Sequence, residues 1–212
     1  TVQNGKTKLY EQLAQIEKKL QAEGFTVIGR HTPKGLPGYA SLVITDPDML
    51  TAIRTIGGSA IVASGIRVGL QNDGTLTYMN PDYWYRAYLR GQYKVAQAAA
   101  KSVQMRLAKA LGEGKAFGGD VPEADLANYR YMIGMERFDS ANSELSTHAS
   151  FEEALKAVQG NLSKGTGTTS RVYEVVMSNS KIAVFGVAMN DPGDGEGWWV
   201  KKIGADHMAG LP

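Results

Sequence analysis

The chain predicts an α+β fold built as two small sheet-plus-helix units joined by a long helix, and three observations carry that expectation. Apolar residues recur at helical spacing in three stretches, near residues 7–23, 81–111 and 151–162. Between them lie alternating or β-branched runs, two pairs of which flank turn-forming residues as hairpins do. A segment rich in glycine and acidic groups, 112–128, then reads as a linker between a first unit, 1–111, and a second, 129–212.

In the first helix Leu9, Leu13, Ile16 and Leu20 make a one-sided apolar stripe, with Thr7 as its cap and Gly24 as its end. Phe25 to His31 and Tyr39 to Thr45 read as strands on either side of a loop broken by Pro33, Gly35, Pro37 and Gly38. Asp46-Pro47-Asp48 opens a short helix that stops at Gly57-Gly58. Ile61 to Tyr78 reads as a hairpin turning at Asn72-Asp73-Gly74, and Asn80-Pro81 is an N-cap followed by proline at the first helical position. From Pro81 to Leu111 only Gly91 interrupts the helical pattern, which at about 1.5 Å per residue would give a helix of about 45 Å.

In the second unit Tyr129 to Phe138 is expected as a strand, and Ser150 with Glu153 forms a capping box for a helix burying Phe151, Leu155, Val158 and Leu162. Val172 to Met177 and Ile182 to Met189 form a second hairpin, and Trp198-Trp199-Val200 starts a further strand or helix. The end at Gly210-Leu211-Pro212 is abrupt for a domain, which leaves open whether strands of the second unit are missing. The start at Thr1 suits a processed export product, which gives a periplasmic or otherwise exported location as the expectation.

The 212 residues are 43% apolar and 21% charged, enough for one large core or two small ones. With 23 basic and 21 acidic residues, the net charge of +2 is too small and evenly mixed for the basic footprint of a nucleic-acid binder. The absence of cysteine removes disulfides, thiolate zinc sites and cysteine nucleophiles. No apolar run reaches the length of a membrane-spanning helix.

The order of several short pieces resembles a known bacterial family. They are Gln21-Ala22-Glu23-Gly24-Phe25, Pro37-Gly38-Tyr39, Asp46-Pro47, Arg67-Val68-Gly69-Leu70, Asp73-Gly74 and Met79-Asn80-Pro81. Together they make residues 10–89 similar to the domain of unknown function 302. Residues 150–200 give a partial echo, with Met189-Asn190 followed by Asp191-Pro192. The resemblance implies small α+β sheets with helices on one face, in tandem, and it implies no activity. The family's common cysteine before the hairpin strand has no counterpart near Ile61 to Ser64.

Candidate sites are few. His31, His148 and His207 lie far apart without metal-ligand spacing, and His207 beside Met208 is the best of them for copper or a haem iron. Asn190 to Glu196 is rich in oxygen ligands, but Pro192 occupies the third position that a calcium loop needs. Gly112-Glu113-Gly114 and Gly165 to Thr169 lack the lysine of a phosphate loop, and no serine nucleophile elbow is present. The densest recognition candidate is Tyr83, Trp84, Tyr85, Arg86, Tyr88 and Arg90. Trp84 and Tyr88 share a helical face while Tyr85 projects about 100° away, so one set should meet a ligand, a partner or the other unit.

These readings favour a non-catalytic binding or accessory subunit without a cofactor, acting as a homo-oligomer or within a larger complex through Tyr85, Arg86 and the face from Ala96 to Ala100. Two alternatives stand beside it. One is an enzyme using scattered carboxylate, His and Tyr groups, with His31, Asp46 and Asp48 as the first candidates, and the other is a haem-binding or electron-transfer accessory protein using His207 or a methionine.

Overall fold

The computed structural model describes residues 2–118, 121–128, 134 and 144–203, with side chains from residue 8. It is an α+β fold with two sheet-and-helix units. The first sheet is antiparallel, in the order β1 (Thr26–His31), β2 (Tyr39–Thr45), β3 (Ile66–Gln71), β4 (Leu76–Tyr78). The second is a hairpin of β5 (Thr169–Met177) and β6 (Ile182–Met189).

Alternation along β2 sorts the side chains between two faces. Ala40, Leu42 and Ile44 enter the main core, where they meet α1 (Val2–Ala22) through Leu9, Leu13 and Leu20. The same core takes Met49 and Ile53 of α2 (Pro47–Ile56) and Val103 and Leu107 of α4 (Tyr93–Leu111). The other β2 residues, Ser41, Val43 and Thr45, are buried too, because something covers the outer face as well. That cover is the β5–β6 hairpin. A Cβ placed on Gly29 would lie 3.0 Å from the Val172 carbonyl oxygen, and one on Gly65 would lie 2.9 Å from Val43 Cγ1 and 3.5 Å from the Tyr173 hydroxyl. Both sheets carry a register irregularity at this crossing, between Val27 and Gly29 and between Arg171 and Tyr173. Bulges of this kind bend strands and re-aim side chains.

Three caps form as expected, whereas α1 begins at Val2 and runs through Thr7, the cap expected for it. The Asp46 carboxylate accepts from Met49 N at 2.9 Å, Asn80 accepts from Asp82 N and Tyr83 N, and Ser150 accepts from Glu153 N at 3.1 Å. Three details differ from the expectation. The helical span from Pro81 to Leu111 breaks into α3 (Pro81–Leu89), a 3-10 turn over Arg90–Gln92, and α4. Arg90 takes φ 51° just before Gly91, which lets α4 fold back onto α1 and α2. Gly58–Ser64 is a 3-10 turn rather than the first arm of a hairpin. Within α5 (Phe151–Lys164) no residue is buried, and Val158 is 37% exposed. The expected strand from Tyr129 to Phe138 lies outside the described residues, Gly134 apart.

Two segments tie to the first unit from later in the chain. The 3-10 turn Glu123–Asn128 packs on α3, with Leu126 buried. Trp198 to Val200 belong to a helix, α6 (Glu196–Ile203), whose Val200 packs with Leu36 and Tyr39 in a small satellite cluster. A Cβ on Gly197 would clash with the Lys34 carbonyl oxygen, so glycine is what allows the N-terminal turn of α6 to sit against the loop between β1 and β2.

Candidate functional site

The layer between the outer sheet face and the hairpin contains polar groups that a core does not need. Register places Gly29, Val43 and Arg67 in one row across β1 to β3, and His31, Ser41 and Gly69 in the next. Arg67 alternates with Ile66 and Val68, which point into the core, so its side chain rises from the outer face.

Aromatic rings enclose Arg67. Its guanidinium carbon stands 5.0 Å from the centroid of the Trp84 ring, and Tyr88 packs on the same indole with centroids 4.1 Å apart and a 52° tilt. Burial lowers the Arg67 pKa from its ordinary value, while the facing Tyr173 and Tyr88 hydroxyls pull it back up. Burial raises both tyrosines, against the opposing charge of Arg67, and so keeps them protonated donors near neutral pH. Arg67 Nε and Trp84 Nε1 are buried without a hydrogen-bond partner. Among the described residues no carboxylate pairs with Arg67. Other arginines do have one: Arg106 meets Asp46 at 2.5 Å, and Arg86 meets Asp82 at 2.8 Å and Glu123 at 2.6 Å.

The adjoining row holds a second polar unit. His31 Nε2 lies 2.5 Å from Glu196 Oε1, with the two side chains 9% and 1% exposed. Glu196 is delivered by the first turn of α6, and its Oε2 has no partner. Ser41, opposite His31 on β2, is fully buried with an unpartnered hydroxyl. A carboxylate on an imidazole is the base-orienting half of a nucleophilic site. Among the described residues no hydrogen bond joins His31 to Ser41, and the His31–Glu196 contact ties α6 to the sheet.

The sequence-derived candidates separate on the structure. Trp84 and Tyr88 face Arg67 and, through it, Tyr173 of β5. Tyr85 turns instead into the main core at 1% exposure. Arg86 stacks 4.2 Å over Tyr93 and joins α3 to the 3-10 turn through Glu123. Tyr83 is 40% exposed, and Arg90 occupies the break between α3 and α4. Ala96 and Ala100, expected on a contact surface with Tyr85, are buried in the chain's own core, which corrects that placement.

His31, Asp46 and Asp48 do not converge. Asp46 caps α2 and holds Arg106. It follows the position opposite His31 by five residues, roughly 16 Å along an extended strand. Asp48 is exposed in the first turn of α2. His148 is exposed beside Ser146, while His207 and Met208 lie outside the described residues. Among the described residues no three His, Cys, Asp or Glu side chains gather as a metal site. The oxygen-rich stretch at 190–196 makes a turn, in which Asp191 Oδ1 accepts from Gly193 N at 2.7 Å.

Arg67, Tyr173 and Glu196 escaped sequence reasoning because they come together only through the crossing of two sheets. One signal was available. A lone arginine in Gly65-Ile66-Arg67-Val68-Gly69 must occupy the face opposite the apolar residues, flanked by glycines that invite another backbone.

The buried tyrosines give a pH prediction. Burial, the hydrogen bond to Asp82 and the nearby Asp82 charge push Tyr93 up to about 12. Burial raises Tyr85 further, with the Asp46 charge adding and Arg106 opposing. A pKa raised on folding stabilises fully below the unfolded value near 10. For Tyr93 that contribution disappears as pH climbs from about 10 to about 12. Tyrosinate absorbance should therefore rise in two phases, the later one coinciding with loss of near-UV circular dichroism. A single phase near pH 10 with the fold intact would show these rings to be solvated.

No protein-family model matches this chain, and no curated protein and no solved structure is similar to it. No helix among the described residues is long and apolar enough to cross a membrane.

Proposed function

We propose that the chain is a non-catalytic binding or accessory subunit whose ligand contacts lie in the layer between the first sheet and the β5–β6 hairpin. The observation that carries this reading is the set of polar atoms left unpaired there: Arg67 Nε, Trp84 Nε1, Ser41 Oγ and Glu196 Oε2. Buried polar groups in folded proteins are nearly always paired, because each unpaired one costs about 1–3 kcal/mol. Four in one layer, beside aromatic walls, match a binding site more closely than a core.

Partner binding belongs to the same proposal. Val95 and Met105 remain 50% and 67% exposed on α4, away from the core-facing alanines, and are where a second copy or larger assembly would rest.

Native purification tests the reading. The full chain should carry extra mass under native mass spectrometry that disappears on denaturation. Equal native and denatured masses, together with no thermal response to any class of small molecule, would sink it.

A further inference from the structure

We propose that the layer between sheet and hairpin takes a small oxyanion, a carboxylate or phosphate group, held by Arg67 and the indole N–H of Trp84. The inference rests on the binding reading above and adds the chemistry of the ligand.

The first argument is charge. Guanidinium has five N–H donors and no acceptor. Arg67 spends none of them on a carboxylate among the described residues, although Arg86 and Arg106 each have one. An uncompensated buried charge is costly, and a ligand of opposite sign removes that cost.

The second is the character of the neighbours. Trp84 Nε1 can only donate, and it is unpaired in a residue 7% exposed. The hydroxyls facing Arg67 from α3 and β5, those of Tyr88 and Tyr173, are held protonated by burial. The carboxylate of this layer, Glu196, belongs to the adjoining row, with its Oε1 on His31 and its Oε2 unpartnered. A cation beside Arg67 would meet a like charge, and a neutral apolar group would leave Arg67 Nε and Trp84 Nε1 unpaired.

The third is geometry. Arg67 stands over the face of Trp84 with its Nε unpartnered, which leaves a donor for the hydrogen bonds that carboxylate and phosphate accept. The layer is thin, since glycines at 29 and 65 let the hairpin approach, and Tyr173 lies across Gly186 of its own hairpin as the roof. It therefore suits a charged group rather than a large molecule, and Tyr173 is the side chain that must yield for entry.

The test uses the full chain, following thermal unfolding and tryptophan fluorescence during titration with acetate, benzoate and inorganic phosphate, against chloride at matched ionic strength. Wild type should show saturable stabilisation by at least one oxyanion and none by chloride. Phosphate against benzoate separates the two ligand sources. Arg67→Met should bind at least about tenfold more weakly, the loss of one charge-assisted pair. Trp84→Phe, which keeps a ring and removes the N–H, should weaken binding several-fold without unfolding. Wild type without a saturable response to any oxyanion, or Arg67→Met responding as wild type does, overturns the proposal. If Arg67→Met still retains the native bound mass of wild type, the oxyanion inference fails and the binding reading survives. If neither protein holds a mass or responds to a probe, both fail.

Discussion

His31→Leu is expected to lower folding stability by about 1–3 kcal/mol, the cost of leaving a buried polar group without its hydrogen-bond partner. Glu196 is 1% exposed, its Oε1 lies 2.5 Å from His31 Nε2, and its Oε2 has no partner. Removing the imidazole leaves both oxygens of the Glu196 carboxyl group in the interior without a partner. Glu196→Leu should cost less, about 1–2 kcal/mol, because it leaves one unpaired ring nitrogen in place of two unpaired oxygens. The double variant His31→Leu/Glu196→Leu should recover most of the loss, since apolar replacement of a whole buried pair is often neutral or better. Urea denaturation of the four proteins measures the coupling. Losses that simply add would show that the two groups do not interact, and that Val200 and Gly197 alone dock α6 on the β1–β2 loop.

The elements governed by local chemistry were legible in the sequence. Asp46, Asn80 and Ser150 cap their helices because a side-chain oxygen three residues before an orphan amide needs no tertiary help. The turn at Asn72-Asp73-Gly74 forms for a similar reason, with Gly74 at φ 94° and Asp73 accepting from Thr75 N at 2.8 Å. What failed to show was decided across the chain. Nothing near Ala96 says that α4 folds back on α1, so its small residues resembled a free surface when they were packing material. The candidate site divides likewise. Trp84 and Tyr88 were found from their helical spacing, whereas Arg67 needed Tyr173, 106 positions later, to become notable. The pair of His31 and Glu196 spans 165 positions and has no sequence signature at all.

Two leucines at the centres of similar sequence stripes should give unequal losses, and the difference follows from what covers each helix. Leu13 is 7% exposed in the main cluster, where α1 lies against the sheet and α4. Leu13→Ala should cost about 2–5 kcal/mol, the transfer loss plus the cavity left behind. Leu155 occupies the same position in the stripe of α5, but no residue of α5 is buried, since that helix rests on a two-stranded hairpin. A partly exposed leucine loses only part of its transfer energy on truncation and leaves no closed cavity, so Leu155→Ala should cost less, about 1–2 kcal/mol. Glu17→Ala serves as the reference. Glu17 pairs with Arg30, whose side chain is 56% exposed, and such surface pairs contribute about 0–1 kcal/mol. Chemical denaturation of the three variants gives the order directly. A Leu155→Ala loss equal to that of Leu13→Ala would mean that α5 is covered in solution, and that a further segment or partner seals its apolar face.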